Sequence, residues 1–311
     1  MATEGIPTDI ERTLPDGAVE VIPVSTKTKR KFVRRIEPDR SQRVRRAVQI
    51  AFAVLNVVIC AQFYVWARFY ETGGASRHVP RPAGVDGWLP IAGLMNLKFT
   101  LSTGLIPKIH PAAFFLIALF LGVSLLLKKA FCSWLCPIGL LSEYLWKAGR
   151  KVLGRNLELP RWLDVALRGV KYVLLSFFLF IVGGMSAAAL ADFMAQPYGI
   201  IADVKMLNFF RHMSTTSMAI VGVLVLGSVV IKNFWCRYVC PYGALMGLVS
   251  FISPVKIRRD AQACIDCGKC SKACPQQLPV DKLVQVRSAE CTACMECVAS
   301  CDTESALQFA L

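Results

Sequence analysis

Histidine, acid and nucleotide-binding signatures are all scarce in this chain, and each scarcity excludes something. Only three histidines occur among 311 residues, His78, His110 and His212. All three fall outside the long apolar runs, so no pair is available to hold a b-type haem inside a helical bundle. No G-x-G-x-x-G follows a strand pattern and no P-loop is present, so nothing in the sequence points to NAD, free flavin or ATP. Asp and Glu number 21 against 36 Lys and Arg, a formal net charge of +15. In a soluble protein that excess would suggest nucleic acid. Here charged residues are only 18% of the chain and the basic ones flank apolar runs, so membrane topology is the cheaper explanation and no nucleic-acid partner is expected.

What the chain has in quantity is apolar surface. Hydrophobic residues make up 55% and the mean hydropathy is +0.48, too apolar for an ordinary soluble enzyme. Four stretches have near-spanning length and almost no charge, at about 47–67, 111–127, 172–191 and 216–231. Residues 1–46 are polar and basic and read as a disordered cytoplasmic tail lying on anionic lipid headgroups. A twin-arginine export signal at Arg34-Arg35 or Arg45-Arg46 is the rival, but the run that follows ends in Trp66 and Tyr70 rather than a cleavage site. With the N-terminus inside, 29 of the 36 Lys and Arg fall in cytoplasmic segments and 7 in the outer loops 68–110 and 192–215. That bias puts both termini in the cytoplasm. The outer loops carry apolar stretches, Leu94–Leu97 and Met206–Phe210, expected as short helices plugging the bundle.

Thirteen cysteines are present, and twelve fall in four patterned groups. Cys60 alone sits in an apolar run and reads as a small buried hydrophobe. Residues Cys264, Cys267, Cys270 and Cys274, and again Cys291, Cys294, Cys297 and Cys301, repeat the spacing C-x2-C-x2-C-x3-C. In this pattern three thiolates of a compact loop wrap one [4Fe–4S] cube and the fourth reaches the neighbouring cube. The spacing therefore assigns Cys264, Cys267, Cys270 and Cys301 to one cluster, and Cys291, Cys294, Cys297 and Cys274 to the other. Structural zinc prefers two C-x2-C pairs separated by a longer loop, and a reducing cytoplasm disfavours disulfides. One departure is visible, because Cys301 is followed by Asp302 where the first motif has Pro275. Lys256, Arg258, Arg259, Lys269 and Lys272 lie near these loops, either to dock an acidic partner or to face lipid headgroups.

The remaining four cysteines lie in an internal repeat. Phe131-Cys132-Ser-Trp-Leu-Cys136-Pro137 recurs 104 residues later as Trp235-Cys236-Arg-Tyr-Val-Cys240-Pro241. Both copies follow an inward helix, so the halves are expected as parallel repeats about an axis along the membrane normal. Each C-x3-C-P puts two thiols on one face of a helical turn at the cytoplasmic membrane edge, and its proline starts a new helix. Residues 137–153 read as an interfacial amphipathic helix with Leu140, Leu141, Tyr144, Leu145 and Ala148 on its apolar side. For Cys132, Cys136, Cys236 and Cys240 three readings stand: a third metal centre, a quinone-headgroup or redox-active thiol site, or aromatic-anchored structural turns. His110 and His212 precede equivalent helices of the two halves, as quinone or proton-handling residues or as satisfied interfacial histidines.

The order of these motifs (four spans, FCSWLCP and WCRYVCP, then paired four-cysteine motifs) resembles the membrane polyferredoxin family of NapH, MauN and the C-terminal part of NosR, over residues 47–311. The resemblance implies an integral protein of a bacterial inner membrane. It would have a four-helix transmembrane domain over 47–253, with the C-x3-C-P motifs at 132–137 and 236–241, and a cytoplasmic α+β two-cluster domain over 254–311. It further implies two [4Fe–4S] clusters exchanging electrons between the quinone pool and a redox partner, as an electron-transfer subunit rather than a stand-alone enzyme. The alternative within the same family is a redox-sensing or reductant-supplying factor for maturation of a respiratory or copper enzyme.

Overall fold

The structure, a computed structural model, describes residues 9–13, 19–23, 33–35 and 39–310. Within the N-terminal segment β1 (Asp9–Thr13) pairs antiparallel with β2 (Val19–Pro23), Asp9 opposite Pro23. The rest is mostly helical. α1 (Ser41–Glu71) opens with the Asp39 carboxylate accepting from the Ser41 N–H at 2.6 Å. Its 31 residues reach about 46 Å, more than a ~30 Å hydrocarbon core needs. α2 (Pro90–Thr103) and α3 (Pro111–Leu127) each begin on a proline, whose missing N–H costs nothing in a first turn. α4 (Ala130–Trp134) and α5 (Pro137–Leu153) flank the first C-x3-C-P motif, followed by α6 (Arg161–Gly184), α7 (Ala187–Ala195), α8 (Pro197–Ile200) and α9 (Ala202–Arg211). α10 (Thr215–Val230), a π-helical turn (Trp235–Val239) and α11 (Pro241–Ser250) carry the second motif. β3 (Lys256–Arg259), the single turns α12 (Lys269–Ala273) and α13 (Glu296–Ala299), and β4 (Leu307–Ala310) complete the chain.

Two helices, α1 and α6, are long and apolar enough to cross a membrane. α9 and α10, bent by 82° at their junction, would make a third as a broken span, and α3 is a shorter apolar helix of 17 residues. Three sequence expectations are corrected here. The apolar run at 172–191 is not one helix: α6 starts at Arg161 and stops at Gly184. There the Lys98 ammonium donates to the carbonyls of Val182 (2.8 Å), Gly183 (2.7 Å) and Met185, and Ser186 caps α7 by accepting from Ala189 N–H. A cation on exposed C-terminal carbonyls is a strong stop signal. The disordered tail does not extend to residue 46, since α1 begins at Ser41 and residues 33–35 lie antiparallel along 302–304. Most of residues 1–32 lies outside the described residues. Cys60 is exposed on α1 rather than buried.

The described residues form two compact units, one of those up to residue 49 with 123–136 and 246–310, the other of 50–122 and 137–245. In the first, β3 and β4 pair antiparallel, and Ile257, Leu278, Val280, Leu283, Val286 and Leu307 form a core shared with cysteines of both motifs. The cysteine domain thus recruits residues 33–49, 123–136 and 246–253, which a boundary at 254 had separated from it. In the second, α2 packs on α6 and α7 through Ala92, Met95, Val182, Leu190 and Met194, so the Leu94–Leu97 stretch is helical as expected. α5 lies on α10 so closely that a Cβ at Gly149 would stand 1.9 Å from the Val229 carbonyl.

Candidate iron–sulfur site

The two cysteine loops adopt one backbone twice. Left-handed residues recur at the second and fourth positions after the first cysteine: Asp266 and Gly268 in one loop, Ala293 and Met295 in the other. Three of the four are not glycine, a strained choice that is kept where the surroundings enforce it. Such turns direct backbone N–H groups inward, and Asp266 N–H donates to Cys264 Sγ at 3.4 Å. Leu278 N–H likewise donates to Cys274 Sγ at 3.5 Å. Hydrogen bonds to sulfur favour the thiolate.

The buried thiols press on one another. Burial pushes Cys294 up to about 12, and the Cys274 and Cys291 thiolates push it further. Cys297 is raised well above its usual range by burial, then by Cys294, Cys274, Cys291 and Cys270. Cys274, Cys291, Cys294 and Cys297 line one cavity, closed by Ile257, Leu278 and Val280. In the other set burial pushes Cys270 up to about 11, with Asp281 and then Cys264 and Cys301 adding to it. Burial raises Cys301 too, and Cys264 and Cys267 reinforce it. Among the described residues no three His, Cys, Asp or Glu converge as around a single ion. The donor set fits iron–sulfur clusters: sulfur only, and buried so that bare thiolates are costly without a metal core.

The sets differ in exposure. Cys274, Cys291, Cys294 and Cys297 are all buried, whereas Cys267 is exposed and Cys264 and Cys301 are partly so. The solvent-facing set carries the surface cations. Lys269 pairs with Asp302, which occupies the place of the missing proline and whose carbonyl accepts from Arg35 N–H at 2.8 Å. Arg259 is not available for docking: it is buried, donates to the Leu283 carbonyl at 3.0 Å and pairs with Asp266.

The buried set meets the first C-x3-C-P turn inside one unit. Ser133 Oγ donates to the Thr292 carbonyl at 2.5 Å and Trp134 Nε1 to the Ala293 carbonyl at 3.0 Å. Lys129 pairs with Glu290 at 3.4 Å, and Cys132 Sγ lies 3.9 Å from Met246 Sδ. From α1, Gln42 donates to the Cys294 carbonyl at 2.8 Å and Arg45, 2% exposed, pairs with Glu296 at 2.8 Å. Arg45 thus belongs to the cluster domain, not to a lipid-bound tail. Sequence separations near 250 residues hid that role. Lys128, fully buried at the end of α3, is also in this wall, and burial pulls its ammonium down to about 8.

The two C-x3-C-P motifs are locally alike. Cys136 N–H donates to the Phe131 carbonyl (2.9 Å) and Cys240 N–H to the Trp235 carbonyl (3.0 Å), the same wide i→i−5 turn at equivalent positions. Pro137 and Pro241 then start α5 and α11 as expected. Cys132 and Cys136 belong to the first unit, and Cys236 and Cys240 to the second, where Gly243 N–H donates to Cys240 Sγ at 3.3 Å. In that second unit Asp164 takes Tyr238 Oη (2.6 Å), Arg237 (2.7 Å) and Arg168 (2.5 Å) together, a buried clamp under the motif that spacing alone did not reveal.

The histidines separate. His110 is buried, with Nδ1 3.0 Å from the Asp86 carboxylate and Nε2 3.0 Å from the Gly199 carbonyl, while Arg81 bridges Asp86 (2.5 Å) and Asp203 (2.7 Å). Both ring nitrogens are spent on protein partners. His212 is exposed beyond the end of α9.

A helical chain with paired four-cysteine loops and apolar helices long enough to span a membrane is an iron–sulfur protein of the ferredoxin type. The family described as "4Fe-4S binding domain" matches residues 109–156 and 213–260, and "4Fe-4S dicluster domain" matches 256–302. The chain is 57% identical over 267 residues, 86% of its length and 75% of the relative's, to an Escherichia coli protein named "Putative electron transport protein YccM". It is 27% identical to "Ferredoxin-type protein NapH" of Escherichia coli, over 57% of this chain and 60% of that one. It is 28% identical to "Regulatory protein NosR" of Pseudomonas aeruginosa, over 59% of this chain and 25% of that one. No solved structure matches. The chain belongs to the NapH/MauN/NosR-type ferredoxin-like family, a family of iron–sulfur electron transport proteins.

Proposed function

We propose that the chain is a membrane-bound electron-transfer subunit exchanging electrons between the quinone pool and a redox partner through two [4Fe–4S] clusters. Cys264, Cys267, Cys270 and Cys301 would hold one, and Cys274, Cys291, Cys294 and Cys297 the other. When bound, such clusters supply one-electron carriers over a wide range of potential. The observation that carries the reading is the docking of the first C-x3-C-P turn on the second loop, Ser133 on Thr292 and Trp134 on Ala293. It ties membrane-edge thiols to the buried site, while exposed Cys267 and its neighbours Lys269 and Lys272 leave the other site open to a partner. The protein's own residues insulate, position and tune. We place the protein in a bacterial inner membrane with both termini cytoplasmic, on the 29-to-7 distribution of basic residues, and with α1, α3, α6 and α10 as four spans.

Iron and acid-labile sulfide on anaerobically purified protein in detergent test the assignment. About eight of each per chain are expected, and Cys297→Ser should retain about four. About twelve would assign Cys132, Cys136, Cys236 and Cys240 to a third centre; zinc in place of iron would sink the reading. Relatives named regulatory proteins favour a second reading, a reductant-supplying or sensing factor. Cluster reduction by added quinol supports the first. Clusters inert to quinol, together with a metal-deficient partner enzyme in a deletion strain, support the second.

A further inference from the structure

We propose that Lys128 is the charge partner of the buried four-thiolate site, Cys274, Cys291, Cys294 and Cys297, and raises the reduction potential of the cluster held there. The inference rests on the proposed assignment of that site. Lys128 is 0% exposed and its Nζ has no hydrogen-bond partner among the described residues. The other cations of this wall are compensated, Lys129 by Glu290 at 3.4 Å and Arg45 by Glu296 at 2.8 Å. Its neighbour Lys129 reaches Glu290, next to Cys291, and the Lys128 ammonium and a Cys291 thiolate attract each other. A buried ammonium left unpaired is costly, so its anion has to come from the site when it is filled.

The ammonium is also held in place. Lys128 takes a left-handed conformation, φ 60°, directly after α3. Its N–H donates to Ser253 Oγ at 3.2 Å, and that fully buried hydroxyl donates to the Leu126 carbonyl at 3.0 Å. The same turn continues into Ser133 and Trp134, which dock on residues 292 and 293. A strained turn pinned at both ends thus fixes the backbone of Lys128 in the segment that docks on the second cysteine loop. Reduction adds one negative charge to a cluster, and a fixed positive charge in a dry wall stabilises the reduced form more than the oxidised one.

The test is an EPR-monitored redox titration of the full-length protein in detergent, wild type beside Lys128→Met, with iron counted in each. We expect iron content to be kept and one of the two cluster potentials to fall by at least a tenfold change in its reduction equilibrium, 59 mV for one electron. The other should stay fixed. Loss of that same signal in Cys297→Ser identifies the shifted cluster. Lys129→Met, whose charge Glu290 already balances, should shift it less. Unchanged potentials in Lys128→Met with full iron overturn the inference alone, whereas a wild type without [4Fe–4S] signals overturns the site assignment as well. Should Lys128→Met fail to retain iron, Lys128→Arg and Lys128→Gln decide: charge pairing requires Arg to keep the cluster and Gln to lose it, and equal behaviour overturns it.

Discussion

At the scale of single residues, buried charge is concentrated at a few knots. Asp86 sits between Arg81 and His110 and is 2% exposed. Burial opposes its charge, but hydrogen bonds from His110 and Arg81 win and hold the carboxyl below the usual range. Burial opposes the His110 charge too, and Asp86 reverses that, raising the imidazolium above its ordinary value. A histidine raised on folding stabilises fully below its unfolded pKa, about 6.5, and loses that contribution as pH rises through the folded value. The thermal stability of the wild type over His110→Gln, measured in detergent, should therefore shrink as pH is raised from 6.5; a pH-independent gap would contradict this. Asp86→Asn leaves Arg81 and His110 without their carboxylate and should cost about 3 kcal/mol, read as a fall in melting temperature. His110 was visible in the sequence by position, but its partners, 24 and 89 residues away, were not.

At the scale of elements, α5 is instructive. Its periodicity announced an amphipathic helix, and the helix forms where expected, but the other face is buried. Ser142, Glu143, Trp146 and Gly149 face inward while Leu141 and Tyr144 are exposed. Glu143 is tolerated inside because Lys147 pairs with it at 2.5 Å. Gly149 allows the close approach to α10, so Gly149→Ala should force the helices apart and destabilise by about 1–3 kcal/mol. Gly169→Ala on α6, where a Cβ meets nothing within 4 Å, should be neutral or stabilising by about 0.5–1 kcal/mol. Equal melting temperatures for the two variants would remove the packing argument.

At the scale of the whole molecule, apolar residues face outward on the long helices. Only 11% of the most apolar window of α1 and 17% of that of α6 are buried within the protein. Exposed apolar surface on that scale needs lipid or a partner to cover it. The protein should stay in the membrane pellet after an alkaline carbonate wash and need detergent for release. A reporter fused after Leu311 should be active only in its cytoplasmic form, and activity of an exported reporter would invert the proposed topology.

The sequence by itself determined the chemistry, because a cluster is specified by ligand spacing within short loops, and loops of eleven residues carry that information locally. It likewise marked where α3, α5 and α11 begin, because a proline acts within one turn, but not where α6 ends. Which charges stand against the cysteine loops was decided only by tertiary structure: Arg45 and Lys129 reach them across about 160 to 250 residues of chain. So was the buried face of α5. A hydrophobic pattern states which side of a helix avoids water, but an apolar side can satisfy that against lipid as well as against protein, and only packing distinguishes the two.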